Sequence, residues 1–317
     1  MLAADTSPSD APLVLQLHWY PQAQFAGYMM AEEKGFFRKA GLTVKLRWSD
    51  AGEKPFEQLA EGRCQFCTGW LCEAVREWDA GHRLVNVAQV FQRSSTLLVT
   101  WNDSSIKRPE DISGKRVGLW GGNNDIQTLT FFRRRKIEPI IVPQSASIVP
   151  FLRGAVDVAS AMHYNEYHKF IEAGVSPDRL RVFSLADYGL DFPEDGLYCT
   201  AATRRDRAAT CAALVAACRQ GWNYALDHES ETLNVVMKHC RATGARTNRN
   251  HQQWMLRSVG VAIRGQPGDT TAPFGNLSAK AYGSVAQMLR DQHLLRASPA
   301  FEQLYQPVSH GDNPQGR

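Results

Sequence analysis

Nowhere does the sequence approach the ~20 consecutive apolar residues that a bilayer-spanning helix needs. Charge of one sign is also scarce. Among 317 residues, 36 Lys and Arg face 32 Asp and Glu, a net charge of only +4, too slight an imbalance to argue for a nucleic-acid partner. The one dense basic run, Arg133-Arg134-Arg135-Lys136, follows a helical segment beginning near Asn124, where cations complement the helix dipole. The seven cysteines are an odd number, in a chain too long to need a disulfide framework. Their only suggestive spacing is Cys64-x2-Cys67-x4-Cys72. A strand over 64–68 would send Cys64 and Cys67 to opposite faces, and no second Cys or His pair has zinc-ligand spacing. His163 and His168, five apart, share no helical face. These patterns predict small buried thiols and no metal. The phosphate-loop lysine, a dinucleotide glycine fingerprint, a nucleophile–base motif, fixed-period repeats and low-complexity segments are all missing. The first ten residues lack the apolar core of a signal peptide and read as the polar start of a mature exported chain, with Met1 supplied for expression.

What is present is alternation. Hydrophobic residues make up 44% of the chain, enough for one large core or two medium ones. Leu13–Leu17 is a short apolar run stopped by Pro21. Phe25, Tyr28, Met29, Phe36 and Phe37 then recur at helical spacing toward Gly41, and Val44, Leu46 and Trp48 alternate as a strand. The same β–α alternation continues through helix 53–61, strand 64–68, helix 71–80 and strands 85–90 and 96–101. A second series runs from Pro109 to Ser184, with strands at 115–120, 140–142, 156–161 and 181–184. From Arg207 onward the pattern is almost wholly helical. Such alternation predicts parallel sheets. The breaks near Thr100 and Thr200 predict two lobes from a discontinuous chain: 12–99 with 200–305, and 100–199. Residues 1–11 and 306–317 are then mobile ends.

Ligands favour the crevice between such lobes and the carboxyl ends of parallel strands. The first strand there displays Trp19, Tyr20, Gln22, Gln24 and Phe25, flat rings and amides suited to a planar, hydrogen-bonding molecule. After strand 115–120 comes Trp120-Gly121-Gly122-Asn123-Asn124, whose glycines allow close backbone approach before a helix; a turn with an Asn cap is its plain structural alternative. Tyr164, Asn165 and Glu166 follow the strand over 156–161 and are read as ligand-bonding groups or helix-start residues. The acidic, turn-rich stretch Asp187–Leu197, carrying Asp187 and Asp195, is read as a cleft-lining loop rather than a catalytic dyad, because nothing catalytic accompanies it.

Several of these stretches resemble one family. Trp19-Tyr20-Pro21-Gln22-x-Gln24-Phe25-Ala26-Gly27-Tyr28, Glu33-Lys34-Gly35-Phe36-Phe37, Ala88-Gln89-Val90-Phe91-Gln92-Arg93-Ser94, Gly114-Lys115-Arg116-Val117-Gly118-Leu119-Trp120-Gly121-Gly122 and Tyr164-Asn165-Glu166 look like the thiamine-pyrimidine-synthase-like family, over roughly residues 12 to 300. The resemblance implies the α/β, two-lobed type II periplasmic binding fold, each lobe a mainly parallel sheet flanked by helices, with hinges near Val99–Asn102 and Tyr198–Ala201. It implies an extracytoplasmic, periplasmic solute-binding protein that closes over a thiamine-pyrimidine-like heteroaromatic molecule, as a monomer serving the membrane subunits of an ABC importer. Trp19, Trp120 and Tyr164 become stacking candidates, Asn165 and Glu166 hydrogen-bonding ones, and Thr68, Trp70 and Gln92 join the lining. A second branch of the family, the sensing domains of membrane histidine kinases and diguanylate cyclases, is similar in Phe91-Gln92-Arg93-Ser94, Ser160–His168 and Asp187–Gly196. In the family's pyridoxal-phosphate enzymes a lysine and a histidine stand where this chain has Gly69 and Glu73, so no Schiff base and no cofactor is expected.

Overall fold

The computed structural model describes residues 11–50, 52–264 and 274–308. The expected mobile N-terminal segment falls, but for residue 11, outside them. Ten strands form: β1 (Leu13–Leu17), β2 (Val44–Trp48), β3 (Phe66–Trp70), β4 (Leu84–Gln89), β5 (Thr96–Trp101), β6 (Arg116–Leu119), β7 (Ile140–Pro143), β8 (Val158–Met162), β9 (Leu180–Ser184) and β10 (Asp195–Thr200). They build two five-stranded sheets, ordered β2-β1-β3-β10-β4 and β7-β6-β8-β5-β9. In the first, β1 pairs parallel with β2 and β3, and β10 runs antiparallel between β3 and β4. In the second, β6 pairs parallel with β7 and β8, and β5 runs antiparallel between β8 and β9. Each sheet therefore has four like-directed strands and one reversed strand at the fourth place. The mainly parallel, helix-flanked architecture expected from the alternation is what forms.

The reversed strand of each sheet is also the one that arrives from the other. The chain leaves the first sheet after Gln89 and enters the second at Thr96; it leaves the second after Ser184 and rejoins the first at Asp195. Both crossings thus precede the expected hinge positions. Residues 96–99 belong to the second sheet and 195–199 to the first, because Thr96–Trp101 and Asp195–Thr200 are continuous strands in which no change of sheet can fall. The crossings are bonded together: Val90 and Phe91 N–H donate to Asp195 O, both at 2.9 Å. Gln89 Nε2 donates to the carbonyls of Glu194 and Asp195 at 3.1 and 3.0 Å.

Local chemistry explains the rest. Pro21 ends the first strand region, and Gly35, at φ 68°, splits the expected single helix into Ala26–Glu33 and Phe36–Lys39. The long helix Ala208–Asp227 lays Leu214, Val215, Cys218 and Trp222 into the first lobe's core with Leu15, Phe25 and Tyr28. Helix Ala279–Asp291 packs Tyr282, Val285 and Leu289 into a cluster shared by Leu71 and Val75 of the first lobe and Val117, Phe131 and Phe132 of the second. Residues 306–308, expected in the mobile tail, are held: Gln306 N–H donates to Asn86 O at 3.0 Å and Val308 packs on the first core. The strand around Cys67 begins at Phe66, so alternation does not govern Cys64; both thiols lie in one cluster with Phe56 and Leu59, a correction to the opposed faces expected. All seven cysteines are free. No helix among the described residues is long and apolar enough to cross a membrane.

Candidate functional site

The crevice is built where the strands end. β1 delivers His18, Trp19 and Tyr20; β3 delivers Thr68 and Trp70; and Asp195, first residue of the reversed β10, stands opposite Trp70 in the register. The second sheet contributes Trp120 from the end of β6 and Tyr164 from the end of β8. Trp120 packs on the first lobe's core together with Trp19, Trp70 and Tyr164, so rings from both sheets share one apolar boundary.

At its floor lies a polar network. Thr68 Oγ1 accepts from His18 N–H at 3.1 Å and lies 2.7 Å from His18 Nδ1. His18 Nε2 lies 3.5 Å from Asp195 Oδ1. Gln22 Nε2 donates to Gln24 Oε1 at 2.6 Å, and Gln24 Nε2 donates to Asp195 Oδ2 at 2.9 Å. Glu194 Oε1 accepts from Ser95 N–H at 2.7 Å and from Ser94 Oγ at 3.1 Å. Glu194 Oε2 is buried with no hydrogen-bond partner among the described residues, whereas Asp195 Oδ1 lies 3.5 Å from His18 Nε2 and the Trp70 indole also acts on the Asp195 carboxylate. A buried polar atom without a partner costs about 1–3 kcal/mol, so Glu194 Oε2 marks a group with bonding capacity in hand.

Burial sets the charge state. It raises the Asp195 carboxyl against the opposing pull of His18, Gln24 and Trp70. Glu194 is pushed up to about 8, by burial first and then by the Asp195 charge, against the lowering effect of the Ser95 N–H and Ser94 hydroxyl bonds. His18 is lowered by burial, partly offset by Asp195. Glu73 rises to about 7 by burial, opposed by its bond to Asn123. The site is thus rich in carboxyls and holds no lysine or arginine in its floor network.

The predicted residues separate into groups. Trp19, Trp70, Trp120 and Tyr164 share the first lobe's apolar cluster, and Gln22, Gln24, Thr68 and Asp195 the polar network around His18. Phe25 is fully buried and backs the wall, its ring edge-on to His18 at 5.1 Å and tilted against Trp48 at 6.0 Å. Gly121 and Gly122 take φ 100° and 67°, a turn that L side chains strain. Asp125, not an Asn, satisfies that turn: its carboxylate accepts from Trp120 and Gly121 N–H at 3.0 and 2.8 Å. Asn123 latches the lobes, donating to Glu73 Oε1 at 3.1 Å and accepting from Arg76. Glu166 is engaged locally, and Asn165 both locally and with His251, whose Nε2 lies 3.1 Å from its Oδ1. Glu166 Oε2 accepts from Met162 N–H and Oε1 from Asn165 Nδ2, each at 2.9 Å. Gln92 Nε2 bonds Gln89 O at 2.8 Å. Asp187 is exposed and lies apart, on an open groove of about 900 Å³ with Arg93, His163 and Trp254; it does not join Asp195. His18 and Glu194 were not singled out in the sequence. Both neighbour residues that were, and the signal for Glu194 was its place beside Asp195 at the head of the apolar run Gly196–Cys199.

Two matched α/β sheets, a double crossing and a crevice at their strand ends define the fold of periplasmic binding proteins. It is the fold of the periplasmic aliphatic sulphonate binding protein SsuA from Escherichia coli, which superimposes with a TM-score of 0.71 at 14% identity over 94% of each chain. The chain belongs to the NMT1/THI5-like family, whose model matches residues 22–232, as the motifs led one to expect. Among curated relatives it is 21% identical to the formylaminopyrimidine-binding protein of Halalkalibacterium halodurans over 294 residues, 88% of this chain and 84% of that one. It is 26% identical to a putative thiamine biosynthesis protein of Haemophilus influenzae over 115 residues, 36% of this chain and 37% of the other.

Proposed function

We propose that this protein is an extracytoplasmic solute-binding protein that carries a planar, donor-rich nitrogen heterocycle of the aminopyrimidine kind to an ABC importer. The observation that supports this reading is the pair of adjacent buried carboxyls, Glu194 with a free Oε2 and Asp195 opposite Trp70, in a region where Trp19, Trp70 and Trp120 pack on one core. A carboxylate oxygen accepts from an exocyclic amine or a protonated ring nitrogen, and indole faces stack on the flat ring. An anion is disfavoured, because the network around Asp195 holds no lysine or arginine and burial lowers His18, its potential cation. That separates this crevice from one suited to a sulphonate, although the folds agree.

Binding with lobe closure, rather than turnover, is the mechanism this reading entails. Position 69 bears on it. A Cβ there would meet the Phe56 ring at 2.5 Å, so a side chain would point into the core and away from Thr68 and Trp70. Glu73 at the other enzyme-like position is bonded to Asn123. The relatives' names point the same way as the site chemistry: one is a formylaminopyrimidine-binding protein. The test is calorimetry with purified protein against formylaminopyrimidine and against an alkanesulphonate. Binding of the pyrimidine without chemical change, and none of the sulphonate, supports the reading; the reverse preference overturns it.

A further inference from the structure

Away from the crevice, at the back of the lobe junction, three metal-ligating groups converge from two helices. His168 and Glu172 stand four apart on helix Glu166–Glu172, hence on one face. His251 comes from helix Arg249–Arg264, which is tied to the first lobe through Gln252 Oε1, accepting from Ala23 N–H at 2.6 Å. His168 Nδ1 lies 3.0 Å from His251 Nδ1, and Glu172 Oε2 lies 3.4 Å from the same nitrogen. One ligand atom from each residue fits within 4.8 Å. Tetrahedral zinc with bonds of about 2.0–2.1 Å separates its ligand atoms by roughly 3.3 Å, so two of the three edges already match.

The surroundings are those of ligands held in place. His251 is buried, and its Nε2 lies 3.1 Å from Asn165 Oδ1. Asn165 donates its Nδ2 to the Glu166 carboxylate, an acceptor only, so Oδ1 must be the atom turned toward His251. His251 therefore donates from Nε2 and accepts at Nδ1, where the His168 Nδ1–H is its donor at 3.0 Å. Glu172 Oε2 lies 3.4 Å from the same nitrogen, so a cation taking the place of the His168 proton would meet two nitrogens and one oxygen. The second bond fixing the tautomer of a ligating histidine is the usual support of a metal site. Glu172 Oε1 is likewise held by Asn248 Nδ2 at 2.7 Å, leaving Oε2 free to ligate. The His168 ring is stacked on Trp254 at 4.8 Å.

We infer that His168, Glu172 and His251 form a site for a divalent transition-metal ion, with zinc as the representative, that clamps the two lobes together. Two imidazoles and one carboxylate suit a borderline ion. On binding, His168 shifts its proton from Nδ1 to Nε2 and coordinates through Nδ1. Three protein ligands leave a fourth position for water, beside the open groove that His168 lines. Because the ligands come from both lobes, occupancy favours the closed arrangement. The inference does not depend on what the crevice binds.

The test is zinc titration of the chelator-stripped full chain in competition with a chromophoric chelator, beside cobalt absorption spectra. Expected is one ion per chain, cobalt bands of a nitrogen–oxygen set without thiolate charge transfer, and a metal-dependent rise in melting temperature. His168→Ala and Glu172→Gln, at sites that are not buried, should each weaken binding at least about tenfold while melting like the parent without metal. No binding, equal binding by both variants, or thiolate bands that move the ion to the cysteines would each overturn the proposal.

Discussion

Asp195→Asn isolates the carboxylate on which the proposed ligand chemistry rests. Asp195 is buried; Oδ2 accepts from Gln24 Nε2 at 2.9 Å, and Oδ1 lies 3.5 Å from His18 Nε2. Asparagine keeps the shape. Its oxygen must face Gln24 to preserve that bond, which turns the amide nitrogen toward the crevice and replaces an acceptor with a donor. A hydrogen bond to a charged group contributes about 1.5–3 kcal/mol, so affinity for an aminopyrimidine should fall roughly 10- to 150-fold. Stability should not fall with it. Burial already disfavours the ionised carboxylate, so the neutral amide should leave the unliganded protein as stable or slightly more so. Calorimetry gives the affinity, tryptophan fluorescence in urea the stability. An affinity within about threefold of the parent, a change of under roughly 0.7 kcal/mol, would remove Asp195 from the ligand. Parallel losses of affinity and stability would show a structural role instead.

Trp120→Ala should weaken ligand binding at least about tenfold, or roughly 1.4 kcal/mol, because the ring reaches from the second sheet onto the first lobe's boundary; unchanged affinity in the same titration excludes it. Glu194 rises on folding from 4.5 to about 8. The native state therefore holds a proton that the unfolded chain releases, and stability declines as pH rises between those values. Glu194→Gln should flatten that decline in urea melts at pH 5 and pH 8, and an unaltered slope would refute the assignment. Gly69→Lys should destabilise by about 1–3 kcal/mol or more through overpacking against Phe56. Borohydride reduction with pyridoxal phosphate should leave residue 69 unmodified in a peptide map.

Much of the architecture was legible because β–α alternation is written in local periodicity. Strand Thr96–Trp101 and helix Ala208–Asp227 fall where the pattern puts them. The double crossing was harder. β10 is a strand whose partners, β3 and β4, lie more than a hundred residues earlier, and its head, Asp195-Gly196, reads locally as the end of an acidic turn. Aromatic residues at strand ends marked the place where both sheets meet: Trp19, Trp70 and Trp120 all pack, half-buried, on the first core. Glu194 was less visible than Asp187, although equally acidic. Only the fold shows that Glu194 is buried and bonded to Ser94 and Ser95, while Asp187 is exposed on the groove those serines line. Likewise the His251 partnership with His168 spans 83 residues, beyond any spacing rule.

The Glu194 carboxyl joins the two crossings, bonding Ser94 and Ser95 of the first from the end of the second. Opening the lobes about those strands must either carry this carboxyl along or break its bonds. A cargo held by its free oxygen would therefore sense the same strain as the door post itself. Departure and opening become one event, and the dissociation rate becomes a readout of how stiff the paired strands are.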